Sequence, residues 1–311
     1  MSRNPDLDFN HKTLIAGLGA ARRDELTRKL DRPGIRRLFV HAGLILLFGF
    51  YIAQRLPGWV VLLPLQGILI TFLFTIIHET IHRTAYLNRR VNDWVANCCG
   101  LLVFLPANWF RLFHFAHHRH THDPLHDPEL ATPKPSSVAD HLVYLTGLPE
   151  WLARFKVIIV NAFIESADGF VPRGNRAKVK LEARLYLLIY VVLLVGSIVM
   201  FNTTLFWVWV LPTLLGNPFL RLYLLTEHTG CPHTDNMLEN TRTMFTHPVI
   251  RFFTWNMPYH AEHHSFPSVP FHRLPNLHQH LKDHLQYTST SYLKVNGDYL
   301  FSLGSNERSV E

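Results

Sequence analysis

The stretch WVVLLPLQGILITFLFTIIHETIH, residues 59–82, sets the architecture. Its apolar part, 59–77, has the roughly 17–25 residues that carry a helix through a bilayer. His78 and His82, with Glu79 between them, stand directly beyond that run. One membrane helix thus delivers two imidazoles, four residues apart and on one face, to an interface. Further along, the spelling HxxHH occurs twice, as His114-Phe115-Ala116-His117-His118 and His260-Ala261-Glu262-His263-His264. Spacings of three and four turn the three imidazoles of each triplet to one side of a helix. His228 follows the last apolar run and completes the set. These histidines exceed the roughly four donors that one ion takes, so two ions held close together are expected. A single histidine is ordinarily a surface or core residue. It is the concentration of many of the chain's 21 histidines into short runs of helical spacing that points to metal. Imidazole suits zinc, copper, iron and nickel alike, so the spacing leaves the metal open.

Hydrophobic residues make up 48% of the 311, yet the mean hydropathy is only +0.07, because apolar runs are segregated from polar, His-rich stretches. Four runs read as spans: 38–53, 59–77, 185–201 and 205–225. Gln54-Arg55-Leu56-Pro57-Gly58 and Asn202-Thr203-Thr204 are the turns within the two hairpins. Arg36 and Arg37 before the first span, Arg83, Arg89 and Arg90 after the second, and the basic segment 172–184 place the outer ends in the cytosol. The expected fold is an all-α membrane protein, four transmembrane helices in two hairpins under a cytosolic helical cap that carries the histidine boxes. As a single domain over 1–311, it divides into an N-terminal segment (1–37), a first hairpin (38–77), a cap (78–184), a second hairpin (185–225) and the rest of the cap (226–311). Both termini are expected in the cytosol, and the N-terminus lacks the pattern of a cleaved signal. The apolar stretch 94–105 is too short to span and reads as interfacial or re-entrant, and 141–165 reads as an amphipathic helix lying on the membrane. Gly216-Asn217-Pro218 interrupts the fourth span and is expected to kink it. Asn217 then has either a functional role or the task of satisfying backbone freed by Pro218.

Other classes fit less well. The net charge of +7 follows from basic residues flanking spans and does not call for nucleic acid. Cys98, Cys99 and Cys231 include no CxxC, which excludes a disulfide framework or an iron–sulfur module. Gly17-Leu18-Gly19 has no preceding strand, and Arg22 stands where a dinucleotide fingerprint needs its third glycine. HETIH matches the HExxH of zinc proteases, but a zinc protease leaves the other boxes unexplained. A His-rich metal transporter would place its ligands near the bilayer midplane on broken helices, whereas within these spans His41 is the ionisable exception.

Glu79, Glu227 and Glu262 each sit beside a ligand candidate, placed to accept the second N–H of a neighbouring imidazole and fix its tautomer. Direct ligation by them is the lesser alternative, because the histidines suffice. His120, His122 and His126 do not extend the triplet face and read as solvated or supporting groups, and Asp123-Pro124 and Asp127-Pro128 as turns.

HETIH, HFAHH and HAEHH, in this order and separated by spans, resemble the three histidine boxes of the membrane fatty acid desaturase superfamily. The flanks HHRHTHDPLHDPE and NMPYHAEHHSFPSVPFHRLP resemble it too, and the likeness covers roughly residues 38–285. It implies a mushroom-shaped helical fold with two iron ions at the junction of spans and cap. It also implies O2 as co-substrate and abstraction of hydrogen from an unactivated C–H bond, giving a double bond or, by oxygen rebound, an alcohol. His78, His82, His114, His117, His118, His260, His263 and His264 carry over as ligands, and His228 as the additional one. Some relatives have an asparagine four residues before that histidine, where this chain has Leu224. The first box has the spacing of acyl-lipid and sphingolipid enzymes, and His260 replaces the glutamine of front-end desaturases. No HPGG of a fused cytochrome occurs, so electrons are expected from a separate ferredoxin or b-type cytochrome with its reductase. An acyl or lipid substrate is expected between the spans, with Arg83, Arg111 or Arg119 near an anionic head group or serving as ordinary cytosolic charge. Family frequency favours acyl desaturation over hydroxylation, while the DPxxDPE flank also resembles carotenoid ring hydroxylases of the superfamily. Other members act on small polar compounds.

Overall fold

The computed structural model describes residues 10–308. The expected cytosolic ends fall on 1–9 and 309–311, which lie outside the described residues. In chain order the helices are α1 (His11–Gly17), α2 (Gly19–Leu26), α3 (Asp31–Ala53), α4 (Trp59–Thr71), α5 (Leu73–Ile81), α6 (Arg89–Leu102), α7 (Ala107–His120) and α8 (Val138–Thr146). They continue with α9 (Leu148–Phe163), α10 (Arg173–Val199), α11 (Leu211–His228), α12 (Met237–Asn240), α13 (Pro248–Phe253), α14 (His260–Ser265), α15 (Leu274–Leu281) and α16 (Tyr292–Arg308). Two short strands, β1 (Thr243–Met244) and β2 (Thr288–Ser289), pair in parallel. The protein is an all-α membrane protein, and four helices among the described residues are long and apolar enough to cross a bilayer.

α3 starts with Asp31 and Pro33 in its first turn, where a missing N–H costs nothing, and ends in the turn at 54–58. Gly58 caps α4 at φ +79, a conformation glycine adopts without strain. α3 and α10 keep large apolar side chains outward, Phe39 at 78% and Phe201, just beyond α10, at 95% exposure, as lipid-facing helices do. α4 and α5 together form the second span, α4 packs along α11, and every residue of α5 is buried. His41 bonds to the Leu69 carbonyl at 2.7 Å, which ties α3 to α4. Gln66 reaches the Ile45 and Val208 carbonyls at 3.1 and 3.2 Å.

Where α4 crosses α11 the backbones touch. A Cβ on Gly67 would lie 1.9 Å from the Pro212 oxygen, and one on Gly216 would lie 2.2 Å from the Gly67 carbonyl. Only glycine fits either position, the small-residue device of membrane helix pairs. Gly216→Val is therefore expected to force the two helices apart and cost about 3 kcal/mol. A lower unfolding midpoint in detergent would register it, and an unchanged midpoint would contradict the close crossing.

Several expectations need adjusting. α10 begins at Arg173, so the basic segment 172–184 forms the opening turns of the third span's helix. Pro218 sits within an unbroken α11, preceded by a π-type turn at Phe206–Val210. The Asn217 amide nitrogen finds no partner, so it is not spent on backbone freed by Pro218, and the side chain packs on Gly147. The segment 141–165 is two helices, broken where Gly147 takes φ +68. One side of the pair buries Trp151, Arg154 and Ile158 while Leu142, Leu152, Ile159 and Phe163 stay exposed, as a helix on a membrane surface requires.

The stretch 94–105 does not span alone. α6 and α7 meet at a 102° bend, the shape of a broken span or a re-entrant pair. Phe104 makes the bend at φ +59 and is gripped among Trp151, Phe155, Tyr190 and Trp209. Past the bend, Glu182 of α10 accepts from the Asn108 and Trp109 backbone N–H groups at 2.7 and 3.2 Å. This carboxylate caps α7, whose own N-cap, Pro106, offers no side-chain bond. The second box is thereby aimed from the third span.

The remaining cap is built from both chain ends. Leu26 of α2 packs with Leu238, Leu274, Leu277 and Leu281, and His11 bonds to Asn236 and Met237. Asn296 of α16 donates to the Leu222 carbonyl at 3.0 Å, holding the C-terminal helix against α11.

Candidate metal centre

Four elements deliver the boxes to one end of the bundle. His78 lies near the end of α5 and His82 caps it; α7 carries His114, His117 and His118; α11 ends on His228; α14 carries His260, His263 and His264. The donor atoms of His78, His82, His114, His118 and His263 all lie within 4.8 Å of one another, and so do those of His117, His228 and His264. His260 joins the second group, its Nε2 standing 3.2 Å from that of His228. The nine expected histidines therefore converge into two adjoining groups. Each triplet divides between them, because positions four apart share a row on the helix while the position three along is rotated toward the neighbouring group.

The nitrogens are arranged as metal donors would be. In the second group three outer nitrogens are tied down: His117 Nδ1 donates to Asp127 at 2.9 Å, His228 Nδ1 to the Asn240 carbonyl at 3.2 Å, and His264 Nδ1 to Thr121 Oγ1 at 3.2 Å. Thr121 accepts because its own proton goes to the His117 carbonyl at 2.8 Å. These bonds fix the tautomer that leaves Nε2 unprotonated and facing inward. His264 Nε2, His78 Nε2 and His82 Nε2 are buried and have no partner. His118 Nε2 stands 2.9 Å from His114 Nε2 and 3.1 Å from His263 Nε2. Burial, with a smaller push from His117, brings His263 down to about 3, which keeps it neutral and able to ligate at physiological pH. Burial pushes eight of these imidazoles toward the neutral form, while at His117 the pull of burial is outweighed by Glu129 and Asp127, which raise it; such a convergence of nitrogens fits a pair of cations.

The carboxylates fall otherwise than expected. Glu79 accepts from Thr84 Oγ1 at 2.5 Å and the Phe271 N–H at 3.1 Å, so it braces the α5 end rather than an imidazole. Glu262 accepts from Thr243 at 2.6 Å and from His278 at 2.5 Å, an imidazole outside the boxes. Glu227 lies 3.6 Å from His260 Nε2, beyond hydrogen-bond reach. The residue that does hold a ligand's outer nitrogen is Asp127, which reads in sequence as half of a turn. His120 and His126 remain near the surface with Asp123 between them. His122 is buried with its ring 5.3 Å from that of His228, and burial brings it down to about 4.

An apolar cavity of about 360 Å³ opens onto His78, His114, His117, His228 and His260. Phe74, Trp109, Phe110 and Phe113 line its walls. Elsewhere it meets Lys134, Glu150, Arg154 and Arg221. Burial alone would raise the Glu150 carboxyl, but Arg221 and Arg154 hold it down to about 2. Arg83, Arg111 and Arg119 do not line this cavity: Arg83 pairs with Asp93 at 2.8 Å, Arg111 donates to the Ile81 carbonyl, and Arg119 to that of Phe115. Two polar openings reach the two groups by other histidines. One meets His118 and His264 beside Lys12, Arg23 and Arg119, the other His82 and His118 beside Lys29, Arg111 and Arg119.

Apolar helices that gather two imidazole groups at one end of their bundle define an integral membrane protein with a site there that could hold metal. The chain belongs to the fatty acid desaturase family, which it matches over residues 56–296. Membership makes it an oxidoreductase of lipid metabolism. It is similar to the sphingolipid delta(4)-desaturase/C4-monooxygenase of Rattus norvegicus, 28% identical over 249 residues, covering 75% of this chain and 69% of the relative. It is also similar to the sn-1 oleoyl-lipid 12-desaturase of Picosynechococcus, 28% identical over 203 residues and covering 58% and 54% of the two chains. The sphingolipid delta(4)-desaturase of Komagataella phaffii is 23% identical over 244 residues, covering 73% and 63%.

Proposed function

We propose that the protein is a membrane-bound di-iron oxidoreductase that uses O2 and external electrons to desaturate a fatty acyl or lipid chain. It works as one desaturase unit over 1–311, with its boxes and both ends on the cytosolic side. The observation that carries this reading is an apolar cavity that ends on both imidazole groups at once. His78, His82, His114, His118 and His263 would hold one ion, and His117, His228, His260 and His264 the other. Iron bound there would supply the O2 activation needed to break an unactivated C–H bond, a redox task that zinc does not perform. Around it, the aromatic walls exclude water and hold the chain in one register against the imidazoles. Asp127, the Asn240 carbonyl and Thr121 keep three ligands in the donor tautomer.

Hydroxylation at the same centre is the second reading, favoured by the paired desaturase/C4-monooxygenase naming of the rat relative. Lipid profiling by mass spectrometry of cells with and without the gene separates the two. A lipid lacking two hydrogens is expected; an added oxygen means hydroxylation, and an unchanged profile counts against a lipid substrate.

Electrons would come from a separate ferredoxin or b-type cytochrome with its reductase. The basic rims at Lys12, Arg23, Lys29, Arg111 and Arg119 favour a donor with an acidic face docking over His82 and His118. The double variant Lys29→Glu, Arg119→Glu is expected to raise the KM for reduced donor by roughly tenfold while leaving metal content unchanged. A salt-independent, wild-type KM would place the donor on another face.

A further inference from the structure

We propose that Glu227 is a ligand of the second ion, so that the two metal positions are chemically unlike. This rests on the two-ion reading above. Glu227 precedes His228 on α11 and is only 8% exposed. Its Oε2 lies 3.6 Å from His260 Nε2, the nitrogen that faces His228 Nε2 at 3.2 Å, while the other ring nitrogen of His260 is buried without a partner. A carboxylate that orients an imidazole takes the outer N–H, as Asp127 does from His117 Nδ1. Glu227 instead approaches the face where the ion would sit.

The distance supports ligation. Donors about 2.1 Å from one ion stand about 3.0 Å apart at a right angle, about 3.4 Å apart in a tetrahedron and about 4.2 Å apart across it. A separation of 3.6 Å is long for a hydrogen bond and falls between the values for two ligands of one ion. Glu227 Oε1 is buried with no hydrogen-bond partner, a costly position that a neighbouring cation relieves. A second carboxylate, Glu129, brings Oε2 to 3.7 Å from His117 Nε2, the inward nitrogen of another member of the same group. By contrast Glu79, next to His78 of the first group, is spent on Thr84 and the Phe271 N–H.

One ion would thus be surrounded by imidazoles alone and its neighbour by imidazoles and a carboxylate. The added negative charge favours the higher oxidation state at the second position, so the two ions differ in redox potential.

Titration of the metal-stripped, full-length protein with Co2+ tests this apart from turnover. Wild type is expected to take up two equivalents. Glu227→Gln should keep one equivalent at wild-type affinity and weaken the other by tenfold or more. His264→Ala should weaken that same equivalent, and His82→Ala the opposite one. The retained equivalent shows that the variant has folded. Glu227→Gln that binds both equivalents like wild type overturns the assignment and leaves the two-ion reading standing; wild type that takes up fewer than two equivalents sinks both. Should Glu227→Gln bind nothing, the infrared difference spectrum between stripped and loaded wild type decides. A carboxylate stretch that shifts on loading supports ligation, and no carboxylate band refutes it.

Discussion

Replacing His263 with alanine is expected to strip metal from the first group and reduce turnover to below about one thousandth of wild type, with the protein still inserted in the membrane. His263 is the one residue of the third box in the group that α5 and α7 otherwise supply. Its Nε2 stands 3.1 Å from that of His118, so its loss opens the side of the group facing α14. The spans should survive, because the contact between α4 and α11 and the lipid-facing surfaces of α3 and α10 do not involve this ring. The check is paired: metal per chain by elemental analysis, and elution as a folded species in detergent. Retained iron with retained activity would remove His263 from the centre.

The second large effect is expected from Asp127→Asn. The carboxylate accepts from His117 Nδ1 at 2.9 Å and from the His122 and Glu129 backbone N–H groups, at 2.8 and 2.9 Å. An amide of the same shape can offer its NH2 to His117, which then prefers the tautomer with its proton on Nε2. That proton would point into the metal position. Substitutions of such supporting carboxylates cost about 10–100-fold in metal affinity, and a loss of this size confined to the second group is expected here. The titration that resolves the two equivalents also reads this variant, and equal weakening of both would assign Asp127 a role in folding instead.

Much of the molecule can be read from residue spacing. The spans follow from uninterrupted apolar runs, and the boxes from imidazoles three and four apart at the ends of those runs. Both patterns arise from local geometry, one from the rise of a helix and the other from its turn. What spacing conceals is how helices cross. Helix periodicity pairs His114 with His118 and His260 with His264, but that His263 meets the first pair and His117 the second depends on the angle at which α14 meets α7, and no local pattern encodes that angle. Asp127 escapes notice because Asp-Pro is a turn signal, and the same residue shapes the turn and holds His117. The repeated DPxxDPE flank was the available clue. Glu182 is hidden differently, as one acid in a basic stretch whose function becomes visible only when α10 lies beside the start of α7. The three acids beside the boxes mislead for a related reason. Adjacency in sequence to a ligand says little about which way a helical side chain points, and Glu79 and Glu262 point to other partners.

The proposed ligands come from both halves of the chain, His78 at one extreme and His264 at the other. During synthesis, then, neither pocket can close on an ion until the second hairpin has entered the bilayer and α14 has left the ribosome. Loading of the proposed ions would thereby follow insertion, and their arrival would stitch late-made segments to early-made ones. Under the proposed two-iron reading, a cell short of iron would accumulate a chain whose hairpins are seated but whose crown is unfastened, open to proteases on one side of the membrane alone.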